Sequence, residues 1–292
     1  MSDFITITPG EVKTSQLHGY LLGATSPRPI AFASTISADG TPNLAPFSFF
    51  NVFSSNPPML IFSPARRVRN NTTKHTLSNV IAVPEVVVNV VSHSIVQQMN
   101  LASTEYPDGV NEFEKAGFTA LKSDLVRPLR VAESPVQMEC KVVEIKPLGN
   151  FGGAGQLIFA QVLKVHVNKN VLNEANMIDP HKIDLVGRMG GNFYARASGG
   201  AVFEVEKPLA SLGIGIDALP DYIKNSDVLS GNDLGRLGNI DALPEKEAVQ
   251  TWWANNGAAF EGKDVQLAAK QALAANQKDQ ALFLLMKPML EA

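Results

Sequence analysis

The stretch SPARRVRNNTTKHTLSN, residues 63 to 79, gathers the cations Arg66, Arg67, Arg69 and Lys74 beside the hydroxyls of Thr72, Thr73 and Thr76. It runs directly into a helix-like apolar pattern. Cations, hydroxyls and the unpaired N–H groups of a helix start are the chemistry that holds a phosphate. A solvated basic loop with ordinary capping threonines has the same composition, so the segment alone leaves both readings open. Upstream, NLAPFSFFN sets Asn43, Ser48 and Asn51 among three phenylalanines and a proline. Buried polar groups cost free energy unless they are hydrogen-bonded. Either the protein satisfies these amides and this hydroxyl internally, or a polar ligand with flat apolar parts does.

Other chemistries find less support. The five histidines, His18, His75, His93, His166 and His181, form no i, i+4 pair and no HExxH, so no metal ligand set is expected. No G-x-S-x-G elbow indicates a hydrolase. GNFGGAG, residues 149 to 155, does not match G-x-G-x-x-G, and the pattern after it is a strand. Without a helix N-terminus the anion-binding logic fails, and a glycine-rich hairpin turn is the better reading. RMGG, residues 188 to 191, likewise reads as a turn. The single cysteine, Cys140, excludes an intramolecular disulfide and a cysteine-based metal cluster. It lies in the alternating VQMECKVVEI, where a small buried hydrophobe is expected.

The elements that must position these groups are mostly strands. RPIAFASTISADGTPNLAPFSFF is two strand-like runs around ADGTP, with Asp39-Gly40 as hairpin signal. PPMLIFSPA is a short strand opened by two prolines, EVVVNVVS is β-branched, and SPVQMECKVVEIKPLG and QLIFAQVLKVHV are long strands. Several strands divided by turn signals predict a barrel or sandwich and not a parallel sheet. NNTTKHTLSNVIA, SIVQQMNLAS and NEFEKAG predict short helices.

The texture changes near residue 205. The segment after it is rich in Gly, Asp and Leu, and Ile216-Asp217-Ala218-Leu219-Pro220 recurs as Ile240-Asp241-Ala242-Leu243-Pro244. Two copies are too few for a solenoid and read as two similar helix entries. From Pro244 to Leu285 the chain is alanine-rich and helix-like, with a break expected at Gly257 and Gly262. This tail, starting near Pro208, carries Leu243, Val249, Trp252, Trp253, Phe260, Val265, Leu267, Leu273, Leu282, Phe283 and Leu285. That much apolar surface is expected to be buried against the barrel, a partner subunit or a substrate, either as a brace or as a lid.

With 292 residues and 45% hydrophobic content, the chain can bury a substantial core. A net charge of −3, Lys+Arg 25 against Asp+Glu 28, makes no electrostatic case for nucleic acid or an anionic membrane. The N-terminal residues lack the basic and apolar regions of a secretory signal, and no apolar run reaches the length of a membrane span. A cytoplasmic setting is therefore expected.

Several segments in order resemble the flavin-reductase-like family, the FMN-binding split barrels. TSPRPIAFAST, DGTPNLAPFSFFNVFSSNPPMLIFS, EFEKAGFTA, ESPVQMEC and RMGGNFYAR are similar to its segments, the last to one found in longer members. KHTLSN resembles a Lys-Asp-Thr-x-x-Asn segment, with His75 in place of Asp. The resemblance spans roughly residues 18 to 205. It implies a mainly β, Greek-key FMN-binding split barrel with short helices over residues 1–206, and a mostly helical extension over 207–292. It implies FMN along a barrel face at a homodimer interface. Residue by residue, Phe47, Ser48 and Phe49 would meet the isoalloxazine edge, and Asn51 its polar rim. Ser63 and Ala65 would face the ribityl chain, and Arg28, Lys74 and Thr76 would hold the phosphate.

The implied activity is that of a flavin-reductase-type oxidoreductase, passing electrons from NAD(P)H through the flavin to a small-molecule acceptor. The flavin carries this chemistry, so no catalytic residue is named. Shorter two-component reductases carry Gly-Asp-His where this chain has GGAG, residues 152 to 155. That departure leaves direct use of NAD(P)H open. An FMN-bound electron carrier and a flavin-dependent oxidase of a small substrate are the alternatives. His166 matches a histidine common in longer relatives, either facing the flavin or standing as an ordinary strand residue.

Overall fold

The computed structural model describes residues 3–207 and 212–291. The chain forms two compact units, Met1–Phe203 and Glu204–Ala292. The expected start of the tail near Pro208 lies outside the described residues.

In the first unit, α1 (Thr14–Ala24) leads into β1 (Ala31–Ile36), β2 (Pro42–Phe47), β3 (Phe50–Ser55) and β4 (Pro58–Phe62). Next come α2 (His75–Ala82), β5 (Glu85–Val90), α3 (Val96–Leu101) and α4 (Glu112–Ala116). The short β6 (Ala120–Leu121) and β7 (Arg130–Val131) precede the long β8 (Val136–Pro147) and β9 (Gln156–Val167). A hairpin of β10 (Val186–Arg188) and β11 (Tyr194–Arg196) follows. The expected strands and short helices are present, while α1 carried no expectation.

Seven strands form one antiparallel sheet in the order β2-β1-β5-β8-β9-β4-β3. Its edges, β2 and β3, are joined only by Ser48 and Phe49. Consecutive Cα atoms are about 3.8 Å apart, so two residues cannot cross a flat sheet of this width. The sheet must curl until its edges meet. Phe47 of β2 and Phe62 of β4 touch across that seam, ring centroids 5.6 Å apart. The result is a split barrel. The run NLAPFSFF, expected as one strand, is thus divided at Ser48-Phe49, because one straight strand cannot serve both edges.

The barrel interior follows the two-residue strand period. Ala31 and Ala33, Leu60 and Phe62, Val86 and Val88, Cys140 and Val142, and Ile158 and Ala160 all point into one core, which Leu77 and Val80 of α2 plug. The outer face of β1 and β2 offers Phe32 and Leu44 to Met99 of α3 and to Phe113 and Ala116 of α4. Full burial of a side chain such as Phe32 contributes about 1.5–3 kcal/mol. Asn111 caps α4 by accepting from the Phe113 N–H, and Gly117 ends it with φ +69°.

The second unit contains α5 (Asp221–Lys224), α6 (Gly231–Gly238), α7 (Lys246–Asn256), α8 (Val265–Ala274), α9 (Lys278–Leu285) and α10 (Pro288–Glu291). The two Ile-Asp-Ala-Leu-Pro copies do enter helices, α5 and α7. The expectation that the tail's apolar residues need the barrel, a partner or a substrate is corrected here. They build their own core: Leu219, Leu237, Val249, Leu273, Leu282 and Leu285 are buried together, with Trp252, Trp253, Phe260 and Phe283 packed against them. The Trp253 indole N–H donates to the Phe283 carbonyl at 2.8 Å. No helix among the described residues is long and apolar enough to cross a membrane.

Candidate functional site

The seam carries the first group of candidate residues. Arg28 is buried, and its guanidinium reaches four acceptors: Ser48 Oγ (3.3 Å), the Leu22 carbonyl (2.5 Å), Ser26 Oγ (3.2 Å) and the Met189 carbonyl (3.0 Å). Burial, and then the like charge of Arg188, hold its pKa below the usual arginine value. Arg28 therefore clamps the Ser48-Phe49 link, and none of its four acceptors belongs to the basic loop with Lys74. Phe47 points inward and belongs to the barrel core. Phe49 points out, its ring edge-on to His18 of α1 at 6.2 Å. Along β3, Val52 and Phe53 are 61% and 64% exposed, an apolar strip on a sheet edge. Asn51 is also exposed, and among the described residues its Oδ1 accepts only from the next backbone N–H, that of Val52 (2.8 Å).

From the seam the chain passes to the basic loop. The Ser63 N–H donates to the Phe49 carbonyl (2.9 Å), and the Ser63 hydroxyl oxygen accepts from the Gln156 N–H (2.9 Å). Ala65 is half-buried. The Arg66 N–H donates to Ala154, and the Gly153 N–H donates back to Arg66, both at 2.9 Å, so the glycine-rich turn between β8 and β9 is zipped to this loop. A Cβ on Gly152 would lie 2.9 Å from the Val68 carbonyl oxygen, which is why glycine stands there. The GNFGGAG run is thus a hairpin turn, as expected, with a packing role against the loop.

Arg67 (3.0 Å), Arg69 and Lys74 (3.5 Å) converge on one carboxylate, Glu105. The hydrogen bond from Arg67 leads the effects that hold Glu105 below the usual carboxylate range. Three cations on one carboxylate leave the cluster electropositive. Glu105 had no signal in the sequence, because it reaches the loop only through tertiary folding. Thr76 does not join the cluster. It is buried, and its hydroxyl donates to Asn43 Oδ1 at 2.9 Å.

That bond answers part of the question posed by the 43–51 stretch. Asn43 is satisfied internally: its Oδ1 also accepts from Thr35 (3.3 Å), and its Nδ2 donates to the buried Glu112 (2.9 Å). Glu112 accepts the Leu44 N–H (3.0 Å), and Asn79 donates to Thr35 (3.1 Å). Desolvation raises the Glu112 pKa despite these bonds. Ser48 is held by Arg28, and of the three polar residues only Asn51 is left to solvent.

His166 of β9 faces Glu139 of β8, Nε2 to Oε1 2.7 Å. Glu139 is fully buried and accepts the N–H groups of Asp124 (2.9 Å) and Leu125 (2.6 Å). Desolvation is the largest effect and raises its pKa, but those bonds and His166 together hold it below the usual value. Asp124, Glu139 and His166 have ligand atoms within 4.8 Å of one another. Lys164 pairs with Asp124 at 2.6 Å and Arg130 stands 4.0 Å from Glu139, so these acids are balanced by cations. Cys140 is buried as expected, and desolvation pushes its thiol up to about 12.

Three kinds of similarity bear on this arrangement. An uncharacterised protein of Aquifex aeolicus is 40% identical over 65% of this chain and 94% of its own length. An uncharacterised protein of Halalkalibacterium halodurans is 34% identical over 70% of this chain and 97% of its own. Among solved structures, nitrilotriacetate monooxygenase component B from Bacillus cereus is 28% identical, with TM-score 0.65, over 70% of this chain and all (100%) of that one. The 2-nitrobenzoate 2-nitroreductase of Pseudomonas fluorescens is 25% identical, with TM-score 0.61, over 72% of this chain and 100% of its own. Flavoredoxin of Desulfovibrio vulgaris, 17% identical with TM-score 0.54, shares the fold. The sequence model of the flavin reductase like domain matches residues 23–184, a span that holds the seam, the edge strip and the basic loop, and the chain belongs to that family.

Proposed function

We propose that the protein binds FMN at the barrel seam and acts as an oxidoreductase of flavin-reductase type. The carrying observation is a continuous path from Phe49 at the seam, through the Ser63–Phe49 backbone bond, to the cations Arg67, Arg69 and Lys74. A flavin is a flat apolar tricycle with a polar rim and an anionic tail, and such ligands call for apolar walls, a few polar groups and a cationic end. The residues fit. Phe49 and the apolar strip of β3 supply the wall, and Ser48 and Asn51 supply polar groups at the rim. Ser63, whose hydroxyl proton is free to donate, and Ala65 line the way to the phosphate end. The basic loop neutralises that end. The Thr76 hydroxyl, engaged with Asn43, is not counted among the phosphate contacts.

When bound, the flavin supplies acceptance of a hydride and onward passage of electrons. The chain's own residues bind and orient it. Because the loop offers cations for one terminal phosphate, FMN is preferred to FAD. A second copy of the chain covers the exposed edge of β3, so that the working form is a homodimer, with NAD(P)H as donor and a small molecule as acceptor. The turn at residues 152 to 155 offers neither Asp nor His, and this favours an FMN-bound electron carrier as the second reading.

Two measurements separate the readings. Fluorescence quenching by FMN and FAD tests the cofactor, and equal or tighter FAD binding overturns the preference. Adding NADH without oxygen to the FMN-loaded protein tests the donor. Rapid bleaching of the flavin band supports the reductase, and a stable band supports the carrier.

A further inference from the structure

Another concave site lies in the first unit, and its lining includes no residue of the Lys74–Glu105 cluster. A cavity of 380 Å³ opens between α3 and the β10–β11 hairpin. That is near the low end of cavities that take small ligands, about 300–1,000 Å³. Its wall includes His93, Gln97, Asn100, Arg188, Asn192 and Tyr194, and no carboxylate. Arg196 also lines it, but it is held bidentate by Asp184 at 2.7 and 2.8 Å. Asp184 also feels the nearby His93. Arg188 is different. Its guanidinium lies over the Tyr194 ring, 4.6 Å from the centroid, and has no hydrogen-bond or carboxylate partner among the described residues.

The position of Arg188 is fixed by backbone. Its N–H donates to the Arg28 carbonyl (2.8 Å) and its carbonyl accepts from the Arg28 N–H (2.9 Å). The Tyr194 ring covers one face of the guanidinium, which leaves its N–H edge as the open donor. The side-chain amides of Gln97 and Asn192 likewise have no partner among the described residues. A half-buried cation facing a polar cavity without a counter-charge is a site for an anion. One unpaired guanidinium offsets one negative charge, and its planar fork matches the two oxygens of a carboxylate.

We propose that this cavity binds a small organic carboxylate, anchored by the guanidinium edge of Arg188 and flanked by the amides of Gln97 and Asn192. The test is calorimetric titration of the full-length protein, free of flavin and at fixed ionic strength, with benzoate, benzamide and inorganic phosphate as probes. Benzoate is expected to bind saturably, with benzamide and phosphate each at least tenfold weaker. Arg188→Gln is expected to lose at least tenfold in benzoate affinity. Asn192→Asp, an exposed change that puts a negative charge at the mouth, is expected to weaken benzoate severalfold without altering the melting temperature. Absence of saturable benzoate binding overturns the proposal. So does benzamide binding as well as benzoate, or phosphate binding as well as benzoate. If Arg188→Gln fails to fold, Asn192→Asp decides, and unchanged benzoate affinity there overturns the assignment. Because no flavin is present, the outcome is independent of the seam reading.

Discussion

Thr76 and Lys74 stand two residues apart and serve different ends. The Thr76 hydroxyl belongs to the buried network of Asn43, Thr35 and Glu112, whereas the Lys74 ammonium reaches out to Glu105. Thr76→Val is therefore expected to cost about 1 kcal/mol of stability, the net worth of one hydrogen bond, and to leave the ratio of FMN to riboflavin affinity unchanged. Lys74→Ala is expected to do the reverse, weakening FMN about tenfold relative to riboflavin with little change in the urea midpoint. Measuring both quantities on both variants checks the division, and a Thr76→Val protein that selectively loses FMN refutes it. Glu139 carries a pH prediction. Its folded pKa lies below its unfolded value, so its ionised form stabilises the fold above the ordinary carboxylate range. That contribution is lost as pH falls through the folded value. Glu139→Gln is expected to flatten the acid limb of a stability–pH curve measured by urea denaturation. Glu112 works with the opposite sign: its raised pKa makes its contribution decline as pH rises through the carboxylate range.

At the scale of elements, the hairpin between β8 and β9 shapes the basic loop from below. Gly152 lets the turn approach the Val68 backbone, where a methyl group would have to sit 2.9 Å from a carbonyl oxygen. Gly152→Ala is expected to destabilise the fold by about 1–3 kcal/mol, the usual cost of overpacking, and to weaken FMN with it. Thermal melting together with flavin titration reads both effects, and unchanged flavin affinity in a destabilised variant would separate the turn from the site. β3 raises a different point. It is an edge strand with Val52 and Phe53 largely exposed, the pattern that sheet proteins ordinarily cover or charge. If a second copy covers it, Phe53→Asp should give monomers in light scattering at concentrations where the parent chain is a dimer. An unchanged mass would refute the covering of β3 by a second copy.

For the whole molecule, each unit has its own apolar interior. Among the described residues, the barrel cores draw on residues between Ile30 and Tyr194, and the helical core on residues from Ile214 onward. A chain ending at Phe203 is accordingly expected to stay folded and to keep its flavin affinity within a few fold. Circular dichroism and FMN titration of that fragment test this, and aggregation with loss of FMN would show that residues 204–292 complete the first unit.

The strands were legible in the residues themselves, whereas the seam was not, since NLAPFSFF reads as one continuous strand, and the basic loop showed its cations without showing what they hold. Alternation at 31 and 33, 86 and 88, and 158 and 160 is a local signal of one buried face, and proline, glycine and asparagine mark the turns between strands. The family likeness of residues 23–184 was legible for the same reason: close backbone approaches and caps demand particular residues at particular offsets. Folding alone decided which polar groups are spent. Asn43 and Thr76 were equally available to a ligand or to each other until β2, α2 and α4 were brought together around Glu112. Glu105 lay far along the chain from the cations it neutralises. The apolar surface of the tail looked like something to be covered by another body. In the fold its helices cover one another, because burial depends on which faces meet and not on how apolar each one is.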